Sequence, residues 1–207
     1  MNSIKIEWFG HSCFRISYDG FSAVIDPYED GYIPGLKPLR LSADAVYCSH
    51  GHGDHNAKEL VELSGRTDNP FKITEIHSWH DDVKGAKRGA NIIRIFEADG
   101  IRVAHFGDIG CFPTDEQKIL LSNLNAAMIP VGGFYTMEPN YIHNLVNELN
   151  PEVVIPCHYS GLDYGFNEIQ SVDAFLEFEE DNIKFLDTNT TEIERNNEHK
   201  IVVLKYK

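Results

Sequence analysis

Short apolar runs rich in β-branched and aromatic residues recur at positions 4–9, 13–18, 22–26, 45–49, 91–98, 101–107, 126–130, 153–157 and 201–206. Turn-forming residues flank most of them, and each run predicts a strand. Tyr18-Asp19-Gly20-Phe21 and Asp99-Gly100 predict hairpin turns, because Asp-Gly readily supplies the positive φ that such turns need. Elsewhere the period lengthens to that of a helix. Ile142, Leu145, Val146 and Leu149 form one stripe of a helix over 138–149, with Pro139 near its start. Thr114 and Gln117 have the spacing of a capping box for a helix reaching about residue 123, and Asn56 with Glu59 predicts another to about residue 64. A fourth helix is expected over 168–178. Strands followed by helices, twice over, predict two mixed β-sheets packed face to face with helices on both outer faces, an α+β sandwich of αββα type. No linker or low-complexity stretch divides the 207 residues, so one domain spanning 1–207 is expected.

Composition narrows the function classes. No apolar run approaches membrane-spanning length, which predicts no membrane role. The chain enters its first strand without a basic-then-apolar leader, and a soluble cytoplasmic protein is expected. Cys13, Cys48, Cys111 and Cys157 form no CxxC pair and sit beside strand-like runs, so they read as buried, reduced thiols. A net charge of −14 disfavours nucleic acid, whose binding depends on many Lys and Arg contacts to phosphate. A small molecule is the expected partner, and the chain leaves room for a homo-oligomer.

The candidate chemistry concentrates in Ser49-His50-Gly51-His52-Gly53-Asp54-His55-Asn56. Alternation in an extended backbone points His50 and His52 the same way. Gly51 and Gly53 let the chain bend, which can swing Asp54 and His55 onto the same pocket. Neutral imidazoles rarely gather so densely without a ligand, since each brings a donor and an acceptor to satisfy. Nitrogen and oxygen donors together suit zinc first, with manganese or iron as alternatives.

This HxHxDH order resembles the metallo-β-lactamase-fold hydrolase superfamily, and further segments follow in the order of that family: Ile25-Asp26-Pro27, Trp79-His80-Asp81-Asp82, Phe106-Gly107-Asp108 and Ile155-Pro156-Cys157-His158. Gly10-His11-Ser12 and the stretch Pro130-Val131-Gly132-Gly133-Phe134-Tyr135-Thr136 look closest to the branch containing L-ascorbate-6-phosphate lactonase. The resemblance implies two divalent metal ions, one on His50, His52 and His80, the other on Asp54, His55 and His158, with Asp108 bridging. His77 competes with His80 for the third position on the first ion. The neighbouring Asp81 favours His80, as an adjacent carboxylate commonly orients a ligand imidazole. Asp26 is expected to hydrogen-bond the ligand turn and His11 to lie near the metals, while His105, His143 and His199 are expected to be structural.

Such a centre predicts hydrolysis of a small-molecule ester, lactone, amide or phosphoester by a metal-held hydroxide, with Asp54 orienting it and accepting its proton. Tyr135 and Tyr159 are candidates for the leaving-group acid. Residues 81–89 hold three cations in an otherwise acidic chain; a solvated loop is the default reading, and the sharper one has Lys87 or Arg88 steer a small carboxylate or phosphate toward the metals. Three other readings compete. A nuclease of the same fold would want a basic surface. A non-catalytic metal-binding or regulatory domain should have lost ligands. Di-iron reduction of oxygen or nitric oxide should replace a histidine of HxHxDH with a carboxylate.

Overall fold

The computed structural model describes residues 3–179 and 182–207. Its first sheet contains β1 (Ile4–Trp8), β2 (Phe14–Tyr18), β3 (Phe21–Ile25), β5 (Ala45–Tyr47) and β13 (Thr190–Ile193), ordered β13-β1-β2-β3-β5. Three antiparallel pairings are followed by a parallel one between β3 and β5. The second sheet contains β7 (Lys72–Trp79), β8 (Ala90–Ala98), β9 (Ile101–His105), β10 (Ala126–Pro130), β11 (Val153–Cys157), β12 (Ile183–Phe185) and β14 (Lys200–Val203). Its order is β12-β14-β11-β10-β9-β8-β7, parallel from β12 to β9 and antiparallel beyond. The Asp-Gly pairs turn both hairpins as expected, with φ of 49° and 72° at Asp19-Gly20 and 49° and 73° at Asp99-Gly100.

One core fills the space between the sheets. Ile4, Ile6, Trp8, Phe14 and Ile16 meet Phe96, Val103, Met128 and Ile155, all fully or nearly fully buried. Burying each large side chain stabilises the fold by about 1.5–3 kcal/mol. Helix α2 (Pro139–Leu149) adds the predicted stripe of Ile142, Leu145, Val146 and Leu149 to this core. Helix α1 (Asp115–Leu120) carries the predicted capping box between Thr114 and Gln117.

Two expected helices are corrected. Residues 56–64 form only a 3-10 turn, Lys58–Leu60, and then β6 (Val61–Leu63), which pairs in parallel with β4 (Leu41–Ala43). Asn56 and Glu59 form no capping box, because the turn starts after Ala57, whose N–H donates to the Pro27 carbonyl. Partnership with β4 overrides a composition that favours helix. Val61 and Ala43 then join Val24, Tyr28, Ile33 and Leu39 in a second apolar cluster. The expected helix over 168–178 shrinks to α3 (Asp173–Leu176), since the Gln170 N–H is taken by the Gly132 carbonyl and Ser171 bridges to Ser160. Strand β7 goes beyond the expectation: its buried positions include Ser78, so its apolar alternation is weak.

Candidate metal centre

Every proposed donor stands just beyond the carboxyl end of a strand, at one end of the sandwich. Asp26 follows β3, the His50–His55 turn follows β5, His80 follows β7, Asp108 follows β9 and His158 follows β11. His11 occupies the β1–β2 connection at the same end. The two sheets are tied together there: the Ile92 N–H donates to the Ser49 carbonyl at 3.0 Å, and the His158 N–H to the His11 carbonyl at 3.0 Å.

The structure brings the donors into overlapping groups, each with its candidate ligand atoms within 4.8 Å of one another: His50, His52 and His80; His11, Asp54, His55 and His158; and His50, His55 and Asp108. Asp108 Oδ2 is the hub. The Nε2 atoms of His55, His80 and His158 lie 3.2, 3.2 and 3.1 Å from it. That is close to the roughly 3.3 Å expected between ligand atoms around a tetrahedral ion with bonds of about 2.0–2.1 Å. His50 Nε2, His55 Nε2, His158 Nε2 and Asp108 Oδ1 are buried and have no hydrogen-bond partner. Folded proteins leave few buried polar atoms unpaired, and so many in one pocket fits cations as their missing partners.

Two carboxylates are built into the site differently. Asp26 is fully buried at φ 49° and accepts from the Ser49 N–H (2.6 Å), Ser49 Oγ (2.6 Å) and His55 Nδ1 (2.8 Å). Ser49 Oγ in turn accepts from His50 Nδ1 at 2.9 Å. Both imidazoles therefore carry their proton on Nδ1 and present the Nε2 lone pair to the pocket. Burial drives the Asp26 carboxyl up, but His105, His55 and Ser49 outweigh it and hold it below the usual carboxylate range. Asp108 is likewise held well below that range, burial being outweighed by His158 and His55. Asp54, largely buried but lining the cleft, is lowered by His55 and His11 against the effect of burial. Burial and neighbouring imidazoles bring His50 and His11 down to about 3 and keep them neutral, the state that can bind a cation.

Several residues expected at the site stand elsewhere. His77 is exposed on β7, whereas His80 is buried beside Asp108. Asp81 does not touch the His80 ring. Its carboxylate accepts the N–H groups of Val83, Gly85, Lys87 and Arg88 at 2.7–3.0 Å, which brings it down to about 2 and pins the following loop. Tyr159 is 4% exposed and packs against Trp8 with ring centroids 5.3 Å apart, so it cannot reach a substrate as expected. Lys87 is exposed and paired with Asp82 at 3.0 Å, away from the metal donors. Arg88 and Tyr135 do line the donor cleft, a pocket of about 440 Å³ completed by Tyr32, His52, Asp54, His80, Asp108 and Phe166. His105 donates from Nε2 to the Ser12 carbonyl and His143 bonds Glu179, structural contacts as expected.

Sequence reasoning passed over Ser49 and Asn91. Asn91 Oδ1 accepts the Asp108 N–H at 2.9 Å while its Nδ2 donates to Ser78 Oγ and the Phe106 carbonyl. A lone Asn at a strand start carries no signal for this. Ser49 could have been found, since it adjoins His50. His11 is placed more deeply than expected: 1% exposed, at φ 51°, its ring 3.8 Å from that of His158 and its Nε2 3.4 Å from Asp54 Oδ2.

Comparison with known proteins agrees with this geometry. Residues 5–158 match the family profile described as a beta-lactamase superfamily domain. The chain belongs to the metallo-β-lactamase superfamily. A protein of Thermococcus onnurineus described as a UPF0173 metal-dependent hydrolase is 28% identical, with 76% of this chain and 85% of the relative covered. The crystal structure of a proposed Zn-dependent hydrolase of the superfamily from Thermotoga maritima is 32% identical and covers 99% of this chain and 100% of its own, with a TM-score of 0.79. An isothiocyanate hydrolase from Delia radicum gut bacteria shares the fold at 14% identity and a TM-score of 0.63, with 84% and 91% of the two chains covered. The chain is thus a metal-dependent hydrolase of this superfamily, and its His and Asp cluster could hold metal ions.

Proposed function

We propose that this hydrolase cleaves an ester, lactone, amide or phosphoester bond in a small molecule at a dinuclear centre. His50, His52 and His80 would hold one divalent cation, and Asp54, His55 and His158 the other, with Asp108 Oδ2 between them. Zinc is proposed first, with manganese or iron also compatible with this donor set. Bound there, the pair would lower the pKa of a shared water to near neutrality and polarise a carbonyl or phosphoryl oxygen. The observation that carries the reading is the position of Asp108 Oδ2, within 3.2 Å of imidazoles from both groups.

The chain's own residues would supply the rest. Asp54, ionised and at the cleft floor, would orient the attacking water and take its proton. Asp26 would keep His55 and His50 in the tautomer that presents Nε2. Tyr135 lines the same cleft, and burial with nearby Glu168 pushes its hydroxyl up, so it stays protonated and able to donate to a leaving group. Arg88 is the cation among the cleft residues and suits a small anionic substrate better than a polyanion. A pocket of about 440 Å³ is of small-molecule size. The resemblance to L-ascorbate-6-phosphate lactonases makes sugar-phosphate lactones the first compounds to try.

The test pairs metal analysis of protein purified without chelator with hydrolysis of a lactone and phosphodiester panel. Two metal equivalents per chain and a loss of at least about 100-fold in kcat for Asp54→Ala are expected. One equivalent or none after reconstitution refutes the dinuclear reading, and wild-type turnover in Asp54→Ala removes that residue from its role.

A further inference from the structure

A second cavity, of about 800 Å³, adjoins the metal cleft and shares Arg88 and Tyr135 with it. The two spaces back onto the same short loops. His80 faces the cleft and Asp81 the cavity; Asp108 faces the cleft and Phe112, four residues on, the cavity. The cavity's far wall is aromatic and open: Phe112, Phe134 and Tyr141 are 43%, 54% and 49% exposed, and Phe112 and Tyr141 meet edge-on at 6.0 Å. Large apolar side chains exposed together commonly mark a binding surface.

The charges around this cavity are already engaged, with one exception. Asp81 accepts four backbone N–H groups, Asp82 pairs with Lys87, and Glu138 accepts from the Phe134 N–H and Gln170 Nε2. Arg88 has no carboxylate partner among the described residues. It donates once, to the Phe134 carbonyl at 3.2 Å, and its guanidinium lies 5.6 Å from the Tyr135 ring centre. Four of its five donors remain for a ligand. Its backbone N–H is anchored by the Asp81 carboxylate, which fixes where the side chain leaves the loop, and the Phe134 carbonyl and Tyr135 ring steer the guanidinium.

We infer that the substrate is bipartite: an anionic group held by Arg88 beside the metals, joined to an aryl group that lies in the cavity against Phe112 and Tyr141. This rests on the dinuclear reading above and adds the class of molecule it acts on. The shared chemistry is an anion next to an aromatic ring, whether carboxylate or phosphonate.

Calorimetric titration of the metal-loaded protein with phenylphosphonate, methylphosphonate, phenylacetate, acetate and benzyl alcohol tests it, after metal content has been measured. At least one aryl anion should bind about tenfold or more tighter than its methyl counterpart, from burial of the ring. The favoured pair identifies the anion. The double replacement Phe112→Ala with Tyr141→Ala should bring that margin below about threefold. Arg88→Ala should weaken the aryl anion about tenfold, with part of the loss restored in Arg88→Lys, whereas benzyl alcohol should respond far less. Equal binding of aryl and methyl anions, or a margin that survives the double replacement, overturns the inference. Two metal equivalents with no aryl margin strike the cavity alone; one equivalent or none strikes the dinuclear reading, whatever the margins.

Discussion

The two sheets deliver their donors to the centre by different means. On the five-stranded side, His50 and His55 are steered by side chains: Asp26 and Ser49 form a relay that satisfies both Nδ1 atoms. On the seven-stranded side, His80 Nδ1 and His158 Nδ1 have no hydrogen-bond partner among the described residues. These rings are placed by backbone shape and packing. His158 adopts φ 51°, a conformation that costs a non-glycine residue on the order of 1–3 kcal/mol, and leans on the His11 ring. Glycines make the close approach possible. A Cβ at Gly132 would run into the His158 carbonyl, and one at Gly107 into Asn91 Oδ1 and the Ser49 side chain. A polar relay can be weakened by one atom; a packed backbone fails when an atom is added.

Metal removal should produce the largest effect and expose this difference. Two ions, each at about a hundredfold excess over its dissociation constant, contribute roughly 5 kcal/mol, and stripping them should lower Tm by about 10–20 °C. The braced turn around His50 and His55 keeps its relay without metal, while the His80 and His158 rings, with no Nδ1 partner among the described residues, would lose the cations that hold them. Amide exchange should therefore rise around residues 106–110 and 157–159 and change little over 47–55. Equal loosening on both sides breaks the comparison.

Gly107→Ala comes next. Glycine sits there at φ 54°, and the added methyl meets both Asn91 and Ser49, so left-handed strain and overcrowding together should cost about 2–4 kcal/mol. Denaturant midpoints at constant m measure it, and a cost under about 1 kcal/mol shows that the junction yields. Asp26→Asn should do less to stability, about 1–3 kcal/mol, because at least one of its three hydrogen bonds loses its acceptor. Its sharper effect should be a 10–100-fold loss of metal affinity in competition with a chelator. Unchanged affinity means the relay orients nothing.

That contrast also explains what was legible in the chain. The His50–His55 turn announces itself because its donors are adjacent and its bend needs Gly51 and Gly53. Asp108 and His158 stand alone at strand ends and became candidates only through order and resemblance. Asp81 misled because adjacency to His80 says nothing of where a carboxylate points; four backbone N–H groups of its own loop outcompeted the imidazole. Ser49 stands in the ligand motif beside His50, whereas Asn91 acts through contacts set by how β7, β8 and β9 lie side by side, which no local pattern encodes. The same holds for residues 56–64, where helix-favouring composition lost to pairing with Leu41–Ala43. β1 and β2 were readable because their burial alternates with the strand period, and β10 and β11 because they are apolar runs buried at every position.

The smallest effect separates the centre from the loop beside it. Asp81 is held at about 2 against an ordinary 3.8 by backbone donors, the depressed-carboxylate case. Its contribution is therefore complete above about pH 4 and is lost as pH falls toward 2, with no loss on the alkaline side. Asp81→Ala should reproduce at neutral pH what acid does to the wild type. Exchange protection at Val83, Gly85, Lys87 and Arg88 should fall in both, since these four donors share that one carboxylate. Metal content should not change, because His80 is held separately: its N–H donates to the Gly89 carbonyl, and the Trp79 carbonyl just before it accepts from the Gly110 N–H. Arg88, by contrast, would lose the anchor that fixes its backbone, so the anion affinity of the cleft should drop several-fold while the ions stay. If metal is lost along with loop protection, then Asp81 supports His80 after all, and the seven-stranded side has a carboxylate brace of its own that acts through the backbone.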